Sequence, residues 1–189
     1  TEGKKIEGRC TGKINLIPGF DANTGNFREY KRLFAEFGVP LTILGDISDV
    51  FDAPCDGTYH VYPGGTKLDD GADSINGKAT LTVGPYATQK TWATVKESFS
   101  GKHASLPMPM GIGKTDAFLM KIGELFDKPV PDALKAERGR AVDAMTDAQQ
   151  YMHGKKFAVY GDPDQLLGYV SFLLEMGALP YHVLCSRGS

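Results

Sequence analysis

A chain of 189 residues, 41% hydrophobic and 23% charged, is long enough for one sizeable domain or two small ones and has ordinary soluble globular composition. Its 21 basic and 23 acidic side chains leave a net charge of -2, too balanced to suggest a nucleic-acid or membrane partner. No apolar run is long enough to span a bilayer, and the polar stretch 1–12 has no signal core, so the cytoplasm is the expected location.

The first apolar run, 13–17, is stopped by Pro18-Gly19 and reads as a strand. Asn26 is a candidate cap for a helix in which Phe27, Tyr30, Leu33, Phe34 and Phe37 recur at helical spacing, and Gly38 closes it. Residues 41–44 form a second strand, which makes a β-α-β unit and favours a parallel sheet. The stretch 46–66 is loop-rich, with turns at 54–57 and 63–65 and a short strand through Tyr59 and Val61. Residues 68–75 read as one polar helix and 79–83 as a strand. Pro85 suits the first turn of a helix that carries Trp92, Val95 and Phe99 inward.

After an irregular stretch at 107–113, Thr115 is a candidate cap for a helix with Phe118, Leu119, Ile122 and Leu125 on one face. Pro129 and Pro131 break it, and a long helix then runs from about Asp132 to His153, with Gly154 as its stop. A second β-α-β unit follows: strand 156–160, a turn at Gly161-Asp162-Pro163, a helix over 164–176 and a strand over 181–184. A sheet ending in two parallel strands leaves an apolar edge uncovered, so Ser189 is read as a cut and not a natural terminus. The expected fold is α/β, with Rossmann-like parallel-sheet units and flanking helices, truncated. It comprises a flexible segment (1–12), a Rossmann-like domain (13–128), a connecting helix (129–154) and the start of a second such domain (155–189).

Few residues suggest chemistry. Met108-Pro-Met-Gly-Ile-Gly-Lys-Thr115 ends like a phosphate-binding loop, but Met108 stands where that loop needs its first glycine, and Pro107 and Pro109 stiffen the segment. Asp162 or Asp164 is better explained as a helix cap than as part of a dinucleotide site, since a single glycine is not that fingerprint. His60, His103, His153 and His182 are scattered, without a carboxylate or cysteine at ligand spacing. Cys10, Cys55 and Cys185 form neither a close pair nor a disulfide framework, and Cys185 reads as a buried small hydrophobe.

The sharpest feature is Asp143 and Asp147, one helical turn apart. At about 100° per residue, Leu134, Ala141, Met145, Ala148 and Met152 cluster within roughly 60° of one another, and the two acids fall nearly opposite. Such a pair repels mildly unless a hard cation such as calcium or ferrous iron binds it. It is either half of a cation site completed by water or another chain, or a solvated face with Arg140 and Lys135 as counter-charges.

Several runs together resemble the beta subunits of nitrogenase molybdenum-iron proteins. They are Lys13-Ile-Asn-Leu-Ile-Pro-Gly-Phe20, Thr24-Gly-Asn-Phe-Arg28, Asp52-Ala-Pro, Asp56-Gly, Tyr62-Pro-Gly-Gly-Thr66 and Thr115-Asp-Ala-Phe-Leu-Met120. They continue with Glu137-Arg-Gly-Arg140, Val142-Asp-Ala-Met-Thr-Asp147, His153-Gly-Lys, Tyr160-Gly-Asp-Pro-Asp164, Phe172-Leu-Leu-Glu-Met-Gly177 and His182-Val-Leu-Cys185. The agreement is poorest at 67–105, where Gly84-Pro85-Tyr86 replaces the family's usual Gln-Pro-Trp, and Gly113-Lys114 also departs from the pattern.

The resemblance implies the nitrogenase component 1 type of fold and an internal fragment of a subunit of an alpha2-beta2 enzyme that reduces dinitrogen to ammonia. Its implied partners are the alpha subunit, a second beta subunit and the separate ATP-hydrolysing iron protein. Its implied cofactors are an iron–sulfur cluster shared with the alpha subunit and an iron-molybdenum cofactor in the alpha subunit. The family's beta ligands to the iron–sulfur cluster lie upstream of this segment, so no cluster ligand, no tightly bound cofactor and no activity of its own are expected for the fragment. The resemblance also places Asp143 and Asp147 on two aspartates of the family's cation site between beta chains. The remaining ligands come from the partner chain. The alternatives are a paralogous cofactor-assembly scaffold without nitrogenase activity and a phosphate-loop nucleotide binder.

Overall fold

The structure is a computed structural model that describes residues 3–60 and 64–186. Val61 and Pro63, to which the sequence assigns part of a strand and a turn, lie outside the described residues. The chain divides into two compact units, Thr1–Ser105 and Leu106–Ser189. That boundary falls ahead of the helix containing Phe118, earlier than the sequence places it. No described helix is long and apolar enough to cross a membrane.

The first unit is built on a four-stranded sheet. Its strands are β1 (Ile14–Ile17), β2 (Leu41–Ile43), β3 (Ala79–Val83) and β4 (Lys102–Leu106), in spatial order β2-β1-β3-β4. β1 pairs in parallel with both β2 and β3, with Leu16 opposite Ile43 and Leu81. The order, and the parallel pairing of β1 with β2 and β3, are those of a doubly wound sheet. The sequence did not single out β4. β3 is buried along its whole length, as a strand covered on both faces should be.

Helix α1 (Thr24–Glu36) connects β1 to β2 and buries Phe27, Tyr30, Leu33 and Phe34. Its cap is Asn23, whose side chain accepts from Gly25 N–H at 2.9 Å. Asn26, the expected cap, lies within the first turn and donates its amide to both oxygens of Asp21 at 3.0 Å. Asn23 alone has the extended backbone a cap requires.

The expected single helix at 68–75 is helix α2 (Leu68–Asp73) followed by a 3-10 turn (Ser74–Asn76). Buried Asn15 draws it tight: its amide donates to Ser74 O at 2.6 Å, and Gly77 N–H returns to the same carbonyl at 3.0 Å. Asn76 fastens the N-terminal segment expected to be flexible. Its Oδ1 accepts from Ile6 N–H, its Nδ2 donates to Lys4 O and its carbonyl accepts from Thr11 N–H. Helix α3 (Gln89–Ser98) starts four residues after Pro85, and only Val95 of the expected inward set is fully buried. Trp92 is half-buried, with the Lys96 ammonium 5.5 Å from its ring centroid. Tyr59 is exposed and not in a strand.

The loop after β2 is anchored on α1. Arg28 reaches Asp52 Oδ2 at 2.5 Å and Ser48 O at 2.9 Å, and Lys31 meets Asp46 Oδ2 at 2.7 Å. The Arg28 hydrogen bond holds the Asp52 carboxyl below the usual carboxylate range. Burial pushes Asp46 up, but Lys31 and the Ser48 N–H and hydroxyl more than offset this and leave it lowered. A lowered folded pKa means the contribution is complete above the ordinary carboxylate value of about 3.9 and is lost as pH falls through the folded one. Exchange of Ser48 N–H, which donates to Asp46 Oδ1 at 3.0 Å, is therefore expected to accelerate in that acid window. In Asp46→Asn the acid step should vanish; an unchanged profile would contradict this reading.

The second unit contains α4 (Gly111–Phe126), α5 (Asp132–Met152), β5 (Lys156–Gly161), α6 (Pro163–Glu175) and β6 (Leu179–Cys185). β5 and β6 are parallel, with a register irregularity at Phe157/Ala158. α4 buries Phe118, Leu119, Ile122 and Leu125 on one face, as the sequence predicts, and ends at Asp127 with φ 55°. Every residue of β6 is exposed. Cys185, expected to be buried, is therefore at the surface, because this two-stranded sheet offers β6 no covering layer.

Candidate functional site

Helix α5 is the platform for the acidic pair. Pro131 precedes it, Asp132 in its first turn complements the positive end of the helix, and Gly154 with φ 71° follows its cap, His153. Only Leu134 is fully buried along its 21 residues. Met145, Ala148 and Met152 are half-buried, whereas Ala141, assigned to the same stripe, is exposed.

Asp143 and Asp147 are both exposed on the opposite side, as their spacing requires. Among the described residues neither carboxylate takes part in an ion pair or hydrogen bond. The expected counter-charge Lys135 is held by Asp132 at 2.8 Å. Arg138, a turn further on, is held by Asp116 at 2.8 Å, which raises its pKa. Arg140, the other expected counter-charge, is exposed, and among the described residues it forms no ion pair with either carboxylate, so both face solvent. No group of three or more His, Cys, Asp or Glu that could hold a metal is found among the described residues.

The other candidates resolve differently. α4 begins at Gly111, four residues before the expected cap Thr115, and its opening N–H groups are already occupied. Ile112 and Gly113 donate to Oε2 and Oε1 of Glu175 at 2.8 and 3.0 Å. Lys114 Nζ donates to Leu167 O at 2.5 Å. The phosphate-like position is filled by the chain's own carboxylate. Glu175 lies more than sixty residues away in sequence, and no local pattern marks it.

Asp162 occupies the cap position of α6, but its side chain makes no capping bond; it accepts from Ser186 Oγ at 3.2 Å instead. Pro163 at the helix start removes one of the donors a cap would serve. Asp164 lies in the first turn, where its charge suits the helix dipole. His60, judged partnerless from sequence, has Asp56 Oδ2 2.9 Å from its Nε2, because the turn at 54–57 folds the two together. Among the described residues this exposed pair has no third ligand. Cys10, Cys55 and Cys185 are free and exposed.

These features define an α/β protein of parallel-sheet units with flanking helices and an exposed acidic pair on a long helix. The chain belongs to the nitrogenase component 1 type oxidoreductases, whose family model matches residues 2–189. It is 52% identical over 188 residues to the nitrogenase molybdenum-iron protein beta chain of Nostoc sp., and 44% identical over 189 residues to that of Azotobacter vinelandii. The alignments cover 100% and 98% of this chain, and the chain spans 36% of either relative's length. A solved structure titled "Nitrogenase Cp1 at pH 6.5" superimposes with TM-score 0.93 at 38% identity, over 99% of this chain and 41% of that one. A second, "Nitrogenase Cp1 at pH 5", shares the fold at TM-score 0.68 and 13% identity.

Proposed function

We propose that this chain is part of the beta chain of a nitrogenase molybdenum-iron protein and serves the reduction of dinitrogen to ammonia from within that assembly. The observation that carries the reading is identity near one half to named beta chains along essentially its whole length. The relatives named above are beta chains, which favours this reading over an assembly scaffold. In it the partners are an alpha chain, a second beta chain and an ATP-hydrolysing iron protein, and the location is the cytoplasm.

The residues do not fit an iron–sulfur cluster. The three thiols are exposed, and no described group of three ligands converges on any of them. No step of the reaction is therefore assigned to them. The role left for this part of the chain is support and subunit contact, with the clusters held elsewhere in the assembly.

Asp143 and Asp147 do fit one half of a cation site. Their oxygens suit a hard ion such as calcium or ferrous iron, and their exposure leaves room for ligands from a second beta chain. Purified from its source, the parent protein should bring an alpha chain with it and form ammonia with iron protein and ATP; failure of both would refute the main reading. In that tetramer, Asp143→Asn/Asp147→Asn should lower ion affinity by about tenfold or more, read as lost anomalous scattering beside α5. Full ion occupancy in the double variant would reject the half-site alone.

A further inference from the structure

The start of α4 poses a separate problem. Met110 precedes the helix with an extended backbone and offers no side-chain cap, so the first N–H groups depend on a distant residue. Glu175, the last residue of α6, takes Ile112 N–H on one oxygen and Gly113 N–H on the other. Gly111, with φ 76°, leaves space for that carboxylate: a Cβ there would lie 2.5 Å from Glu175 Oε2. Lys114 adds a second tie to α6 through Leu167 O. Burial lowers the Lys114 pKa, with Glu175 acting against it. Beside the clamp, a cleft of about 300 Å³ is lined by Ile112, Val142, Met145, Thr146, Gln149 and Glu175.

A second start lies one turn further along. Thr115 is a residue type that caps helices, and its hydroxyl now donates to Pro109 O at 3.2 Å. We propose that α4 has two starting points and that Glu175 selects between them. With the C-terminal end of α6 docked, its carboxylate acts as a tethered anion and the helix begins at Gly111. With it withdrawn, the two N–H groups lose their acceptor, residues 111–114 unwind and Thr115 caps the shortened helix. The Gly-Ile-Gly-Lys-Thr segment is then a conformational latch between α4 and α6, and its likeness to an anion-binding loop reflects the anion the fold supplies to it. This inference does not depend on the proposed function.

The test is amide hydrogen exchange at single-residue resolution on the intact chain. Glu175→Ala should speed exchange at Ile112 and Gly113 by about tenfold or more and leave Phe118 onward unchanged. Thr115→Ala alone should leave that later protection intact, whereas in the Glu175→Ala background it should spread fast exchange into 116–118. Added acetate should restore slow exchange at Ile112 and Gly113 in Glu175→Ala by entering the vacated space. Glu175→Gln keeps the shape without the charge, should give an intermediate acceleration, and carries the test if the alanine variant does not fold. Exchange at Ile112 and Gly113 within twofold of wild type in the folded variant would overturn the latch. Equal spread with and without Thr115 would overturn the second start, and no response to acetate would overturn the tethered-anion role.

Discussion

Phe118→Ala is expected to destabilise the second unit by about 3–5 kcal/mol, the cost of removing a large ring from a site that cannot collapse around the void. Phe118 is 0% exposed on the inner face of α4, and Ile122, also 0% exposed, lies one turn on. The loss combines apolar surface returned to water with packing contacts left without partners. Met120 on the same helix is 65% exposed, and Met120→Ala should change stability by no more than about 0.5 kcal/mol. Denaturant unfolding of the two variants separates the cases. Similar midpoints for both would mean that α4 does not form the core described above.

Gly101→Ala should cost about 2–5 kcal/mol in the first unit, through backbone strain and overpacking together. Gly101 adopts φ 81°, which side chains with a Cβ rarely tolerate. A Cβ there would lie 2.6 Å from the Lys78 carbonyl carbon and 2.8 Å from Gly77 O, and neither backbone atom can swing aside. The flanking bonds Ser100 N–H to Ile75 O and Lys102 N–H to Lys78 O fix this turn against the entry to β3. Gly71→Ala, where a Cβ meets nothing within 4 Å, is the control and should be neutral or slightly stabilising. A Gly101→Ala variant with wild-type thermal stability would show that the turn is looser than its geometry.

What the sequence disclosed follows from where the determining contacts lie. The apolar faces of α1 and α4 were legible because helical periodicity is local and the core accepted it: Phe27, Tyr30, Leu33 and Phe34 are all buried. The outward position of Asp143 and Asp147 was legible for the same reason. The start of α4 was not, because its first turn is completed by Glu175 from another helix. The division of residues 68–76 into two helical types was hidden likewise, since Asn15 imposes it from β1. β4 has the short polar pattern Lys-His-Ala-Ser-Leu, and strands of that kind are recognised by their neighbours, not their composition. Burial of Cys185 was inferred from an apolar run, yet burial requires a covering layer, which a run of residues cannot report.

The long helix α5 commits a single residue, Leu134, to the core of its own unit. Its energetic stake in this chain is therefore small, and substitutions on its outward side should scarcely move a melting curve of the chain by itself. A screen that scores folding alone would therefore pass such variants as harmless, whatever they did to a surface that another molecule covers.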